Sequence, residues 1–123
     1  GVWFVVRESL GMSAGKASAQ VGHATQMLML KYFELKSGTD QGYGPYEFNR
    51  IDVFEEWLRT GYRKIVLKAD EREWVRLKEL PDSVMVRDNG YTEVPAGSET
   101  CMAFGPIKRS DIPKTIKRLQ VLK

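Results

Sequence analysis

Lys16, Gln20 and His23 stand four and three residues apart, the interval at which side chains stack along one face of an α-helix. An ammonium, an amide and an imidazole in register make either one polar site or an ordinary solvated edge beside an apolar stripe. Gly15-Lys16 follows a short apolar run and a Gly-containing turn. The free N–H groups of a helix start and the Lys16 charge would together favour an anion there. A nucleotide phosphate loop is excluded, because that motif needs Gly five residues before the Gly-Lys pair and Ser or Thr after it, where this chain has Leu10 and Ala17. Asp88 and Thr92 lie just past a β-branched run, at a strand end where α/β sheets place their ligands. Asp88 before Asn89-Gly90 also fits a simple Asx-turn, and both roles stay open. Cys101 sits in an apolar run and is read as buried rather than nucleophilic. No Gly-x-Ser-x-Gly elbow exists for a serine hydrolase. One Cys and one His fall short of the three or four ligands of a zinc site. Neither a metal site nor a cofactor is expected.

The elements that must position these residues can be read from the apolar pattern. Residues 2–7 form a β-branched and aromatic run suited to a strand buried on both faces. From residue 13 or 15 to 36, Ala17, Val21, Ala24, Leu28 and Leu35 recur at helical spacing, and the Ala-rich early part would let this helix lie close to a sheet. Gly38, Gly42, Gly44 and Pro45 forbid a helix through residues 37–49, so a surface loop is expected there. Helix resumes near Ile51 and stops at Gly61. A strand over 64–68 and a helix over 70–79 follow, the helix burying Trp74, Leu77 and Leu80 and ending at Pro81. Residues 84–87 and 100–104 read as two strands joined by a long loop, of a length more often functional than idle. A last helix is expected from Ser110, capped by Ser110 and Asp111. The order β-α-α-β-α-β-β-α predicts a single three-layer α/β/α domain over residues 1–123, with a mixed sheet of about four strands. An apolar content of 42% suits one core rather than two.

The net charge of +3 favours polyanions only weakly, but its distribution says more. Lys108, Arg109, Lys114, Lys117, Arg118 and Lys123 crowd the last segment against Asp111 alone, so one end is basic. That end either binds a polyanion or is a solvated face. The chain has no run of eighteen apolar residues and no signal-peptide pattern. A cytoplasmic protein without a membrane partner is expected.

These segments together resemble a known family. Val5-Val6-Arg7, Leu10-Gly11-Met12 and Gly15-Lys16-Ala17-Ser18-Ala19-Gln20-Val21-Gly22-His23-Ala24 are similar to the opening of type 2 peptidyl-tRNA hydrolases, which runs V-V-R, L-x-M-G-K-G-K, A-A-Q-x-x-H-A. Lys64-Ile65-Val66-Leu67-Lys68 is similar to that family's second strand. Asp88-Asn89-Gly90-Tyr91-Thr92-Glu93-Val94, Gly97-Ser98-Glu99-Thr100 and Gly105-Pro106 parallel its D-A-G-R-T-Q-I, G-S-x-T and G-P. The resemblance implies hydrolysis of the ester between a peptide and the 3′ end of tRNA, through a water activated without metal or covalent intermediate. It implies Lys16, His23, Asp88 and Thr92 as catalytic groups and Gln20 as a substrate-binding one. Lys114, Lys117 and Arg118 would then hold tRNA phosphates. The chain departs from the pattern at Ala14, where the family has Lys, and at Tyr91 and Glu93, where it has Arg and Gln. These changes remove charge or neutrality that would favour RNA. Two alternatives therefore stand beside the hydrolase: an RNA-binding or interaction protein that keeps the fold, and a hydrolase moved to another acyl-tRNA. A homodimer is left open.

Overall fold

Val2–Arg7 forms β1, and all but its last residue are buried. A strand apolar on both faces must lie between two layers, and it does. Val2, Phe4 and Val6 enter one core with Ala17, Ala24, Leu28, Phe54 and Trp57. Trp3 and Val5 enter another with Leu67, Trp74, Leu77, Met102 and Ile116. The computed structural model describes residues 1–37 and 48–123; most of the loop expected over 37–49 thus lies outside the described residues.

The helices α1 (Ala14–Ser37) and α2 (Phe48–Arg59) make the crossover to β2 (Lys64–Ala69) and cover the first core. The second core is closed by α3 (Glu71–Leu77) and α4 (Lys114–Lys117). With β3 (Ser83–Arg87), β4 (Glu99–Phe104) and β5 (Gln120–Val121), the sheet runs in the order β3-β4-β1-β2-β5. β1 pairs β2 in parallel, with Val2 opposite Lys64. β4 is antiparallel to both β1 and β3, so β1, β2 and β3 point the same way. Their C-terminal ends therefore share one edge of the molecule. There α1 begins, α3 begins, and the chain between β3 and β4 leaves the sheet.

The three-layer α/β architecture is the one expected, with local corrections. The sheet has five strands rather than about four. No helix runs on from Ser110: Arg109–Asp111 is a single 3-10 turn, and Ile112 is extended at φ −67° and ψ 128°. Pro113 is the cause, since its ring disfavours the helical region for the residue before it. Only after Pro113 does the one-turn α4 form, without a side-chain cap. Ile116 and Leu119 then bury in the second core, and β5 pairs antiparallel with β2. α2 starts at Phe48 instead of Ile51. α3 is shorter than residues 70–79, its start fixed by a capping box between Asp70 and Glu73. Trp74 and Leu77 are buried as expected, and Leu80 is half-buried.

Candidate active site

Asp88 follows β3 directly, and the chain closes into a tight loop around it. Its N–H donates to the Ser98 carbonyl at 2.9 Å, and its own carbonyl accepts from the Gly97 N–H at 2.7 Å. The Gly90 N–H donates to Asp88 Oδ2 at 2.7 Å. Gly90 sits at φ +82°, where a Cβ would lie 2.5 Å from the Ala96 nitrogen, so only Gly fits. The Asx-turn and the functional reading are thus compatible. One carboxylate oxygen holds the turn while the other is turned to Lys16.

Ser13 caps α1, its Oγ accepting from the Lys16 N–H at 3.2 Å. Glu93 accepts from the Ser13 N–H at 2.8 Å and from its hydroxyl at 2.5 Å. These Ser13 bonds lower the Glu93 pKa. The anion that the helix start was expected to attract is here the protein's own carboxylate, and it latches the loop to the helix. Lys16 points elsewhere, with Nζ 2.6 Å from Asp88 Oδ1 and side-chain exposures of only 11% and 8%. The Lys16 ammonium, then the Gly90 N–H, hold the Asp88 carboxyl below the usual range against the opposing effect of burial.

Gln20 corrects an expectation. It belongs to the buried stripe with Ala17, Ala24 and Leu28, fully enclosed, and not to a polar edge beside it. Its amide is satisfied there: Nε2 donates to Asp88 Oδ1 at 3.3 Å, and Oε1 accepts from the Thr100 hydroxyl at 2.6 Å. A carboxylate only accepts, so the amide has one workable orientation. A side chain without exposed surface has none to offer a ligand. What Gln20 holds is Asp88.

Lys16, His23, Asp88 and Thr92 line one open cleft of about 430 Å³, together with Tyr91 and Arg87. His23 lies about two turns along α1 from Lys16, exposed, and makes no side-chain hydrogen bond to a described residue. Thr92 is exposed likewise. Lys114, Lys117 and Arg118 do not reach this cleft: they are exposed around α4, in the opposite layer. Cys101 is fully buried, and burial pushes its thiol up to about 12, which rules out a thiolate nucleophile near neutral pH. Among the described residues no group of three or more His, Cys, Asp or Glu gathers as metal ligands would, and no helix is long and apolar enough to cross a membrane.

Sequence reasoning missed Thr100 and the Ser13–Glu93 latch. The signals were slight: a hydroxyl opening an otherwise apolar strand, and a Ser three residues before Lys16. A larger cavity of about 620 Å³, lined by Asp52, Phe104, Pro106 and Lys108, lies at the opposite end of the sheet. It gathers none of the expected groups.

A family model described as Peptidyl-tRNA hydrolase PTH2 matches residues 2–122. A peptidyl-tRNA hydrolase of Methanopyrus kandleri is 37% identical over 125 residues, covering 97% of this chain and 95% of that protein. One from Thermoplasma acidophilum is 33% identical over 95% of this chain and 93% of its own. One from Methanocaldococcus jannaschii is 33% identical over 96% of both.

Proposed function

The chain belongs to the peptidyl-tRNA hydrolase PTH2 family, and on that premise we propose that it hydrolyses the ester joining a peptide, or an N-blocked amino acid, to the 3′ end of tRNA. Lys16, His23, Asp88 and Thr92 are the working side chains in this reading. The observation that carries it is the Lys16–Asp88 pair at 2.6 Å, nearly buried yet at the wall of an open cleft. An ion pair kept from solvent and left beside empty space suits chemistry better than support.

In the free protein Lys16 lowers the proton affinity of Asp88, which makes it a weak base. An entering phosphate, or a carbonyl oxygen gathering negative charge, attracts the ammonium toward itself. Asp88 then loses its strongest partner, and its proton affinity rises where water must be activated. The water oxygen attacks the ester carbonyl carbon and its proton passes to Asp88, directly or through the Thr92 hydroxyl. The tetrahedral intermediate collapses, the 3′ ribose oxygen leaves, and Asp88 returns the proton to it. Such assistance is worth about a hundredfold to ten-thousandfold. A ribose oxygen leaves more readily than the amine of an amide, so no covalent intermediate is required. His23 at the rim positions the substrate, and Gln20 keeps Asp88 aimed from beneath.

Lys114, Lys117 and Arg118 extend the reading to the body of the tRNA. Arg118 borders a small cavity with Lys68 and Gln120 at the C-terminal end of β2. That is the same sheet edge as Asp88, three strand intervals away, or roughly 15 Å. Phosphate contacts at that distance position a duplex without reading its bases. The cytoplasm, where peptidyl-tRNA arises, is the proposed place of action.

One assay tests the proposal: release of free tRNA from a purified N-blocked aminoacyl-tRNA, beside an unblocked aminoacyl-tRNA control. Faster release from the blocked substrate is expected. Binding of the tRNA without cleavage would transfer the protein to the class of RNA-binding modules.

A further inference from the structure

Tyr91 is 88% exposed, the most exposed large hydrophobic side chain among the described residues. It is not on a loose tip. Gly90 on one side is bonded to Asp88 and crowded by Ala96. On the other, Glu93 is latched to Ser13 and Val94 is buried. A rigid backbone thus presents a bare ring at the cleft that also holds Lys16, His23 and Asp88.

We propose that Tyr91 is a stacking platform for the unpaired 3′-terminal base of the RNA substrate, and thereby a positioning residue for the ester. The proposal rests on the hydrolase reading and adds which part of the substrate is gripped. The last base of a tRNA is unpaired and hangs on the ribose that carries the ester. Whatever holds the ester carbonyl beside Lys16 and Asp88 must therefore leave that base about one sugar ring away. Tyr91, three residues from Asp88 and lining the same cleft, offers a flat face at that range. Stacking on an aromatic ring requires no specific hydrogen bonds, because every base has a π-face. A backbone held on both sides of the ring also leaves less freedom to lose on binding. The sequence expectation that an uncharged residue here weakens the hold on RNA is thereby reversed: the lost charge is replaced by a stack.

A double-mutant cycle between protein and substrate tests this. N-blocked aminoacyl-tRNA is compared with the same molecule lacking only its terminal base, against wild type, Tyr91→Phe and Tyr91→Ala. On the intact substrate Tyr91→Ala should raise KM roughly five- to 150-fold, the loss expected for one stacked base, with kcat much less affected. Tyr91→Phe should behave as wild type. On the base-less substrate all three proteins should be equally poor in KM. An equal penalty for Tyr91→Ala on both substrates would overturn the proposal and assign the ring to the peptide instead. No penalty on either would overturn it as well. A short RNA ending in 2-aminopurine separates this from failure of the hydrolase reading. Its fluorescence should be quenched by wild type and Tyr91→Phe but not by Tyr91→Ala, whether or not any ester is cut. Equal quenching by all three would again refute the stack.

Discussion

Two of the carboxylate–cation pairs at the same end of the sheet make a contrast, and only one of them lines the cleft with His23 and Thr92. Glu71 meets Arg7 through a two-pronged fork, Nε to Oε1 at 2.8 Å and Nη2 to Oε2 at 2.9 Å, and also accepts from the Ser9 hydroxyl. Arg7 further donates to the Glu99 carbonyl at 3.3 Å and lies over the Trp74 ring. Asp88 meets Lys16 at a single point, 2.6 Å apart. By geometry the first pair is the better made. Yet it is exposed, at 24% for Arg7 and 49% for Glu71, and its donors are spent on fastening β1 to α3 and β4. The second is enclosed, and its ammonium keeps donors that the Asp88 bond does not use. In the proposed reading, a working site is marked less by how strongly its charges pair than by what the pairing leaves available. Lys suits that use because it is a mobile point charge, where Arg is a rigid fork.

The sharpest way to break this comparison is to remove the charge of Asp88. Asp88→Asn keeps the turn and much of the hydrogen bonding but cannot accept a proton. Steady-state kinetics should show kcat lower by about a hundredfold or more, with KM unchanged or lower because a negative charge facing phosphate is gone. A variant with normal kcat would reduce Asp88 to a turn residue and make the two pairs equivalent. Lys16→Arg comes next, since it converts the site pair into a copy of the other. A fork engaging the carboxylate should hold Asp88 too firmly, lowering kcat by about tenfold while preserving net charge and tRNA affinity. Wild-type turnover by Lys16→Arg would show that charge alone matters.

Much of this site could be read from residue types and spacing, and what could not be read has identifiable causes. Lys16 and His23 fall on one helix face, and Asp88 and Thr92 at a strand end, because helical period and sheet topology are local properties. Gln20 lies three residues after Ala17 and four before Ala24, squarely in the apolar stripe. Its polarity argued for the surface, and only Asp88 and Thr100, 68 and 80 residues away, make its burial tolerable. No periodicity discloses such a partner. The last segment failed for the opposite reason. Pro113 is plain in the sequence, and its effect on Ile112 outweighs the caps read at Ser110 and Asp111. β5, two residues long, is too short to show an alternating pattern.

Thr100 provides the next largest expected effect, on the support beneath the site and not on its chemistry. Thr100→Val preserves shape but leaves Gln20 Oε1 without its donor in a fully buried place. An unsatisfied buried acceptor costs about 1–3 kcal/mol, which a urea unfolding midpoint would register. A freed amide also aims Asp88 less well, so kcat should fall, but by less than in Asp88→Asn. Unchanged stability together with unchanged kcat would detach Gln20 and Thr100 from the site.

The smallest effect belongs to the better-made pair, and its pH dependence shows why. Hydrogen bonds from Arg7, then from Ser9, hold the Glu71 carboxyl down to about 2 from its ordinary 4.5. A carboxyl whose folded pKa is depressed contributes stability above its unfolded value and loses it as pH falls through the folded one. The contribution of Glu71 is therefore complete near neutrality and fades between about pH 4.5 and 2. Its size is far below what the shift would suggest, because half of Glu71 is in water, where competing solvation and salt screen the pair. Glu71→Gln should thus cost at most about 1 kcal/mol at pH 7 and low salt. The difference from wild type should shrink with added salt, and again as the pH is lowered through that window. Turnover should be unaffected throughout, since Glu71 lies outside the Lys16–Asp88 cleft. Denaturant titrations of both proteins at pH 7 and pH 3, paired with the ester assay, measure all of this. A loss of kcat in Glu71→Gln comparable with that of Lys16→Arg would mean that the exposed fork positions the site after all, and the division between fastening and working pairs would fail.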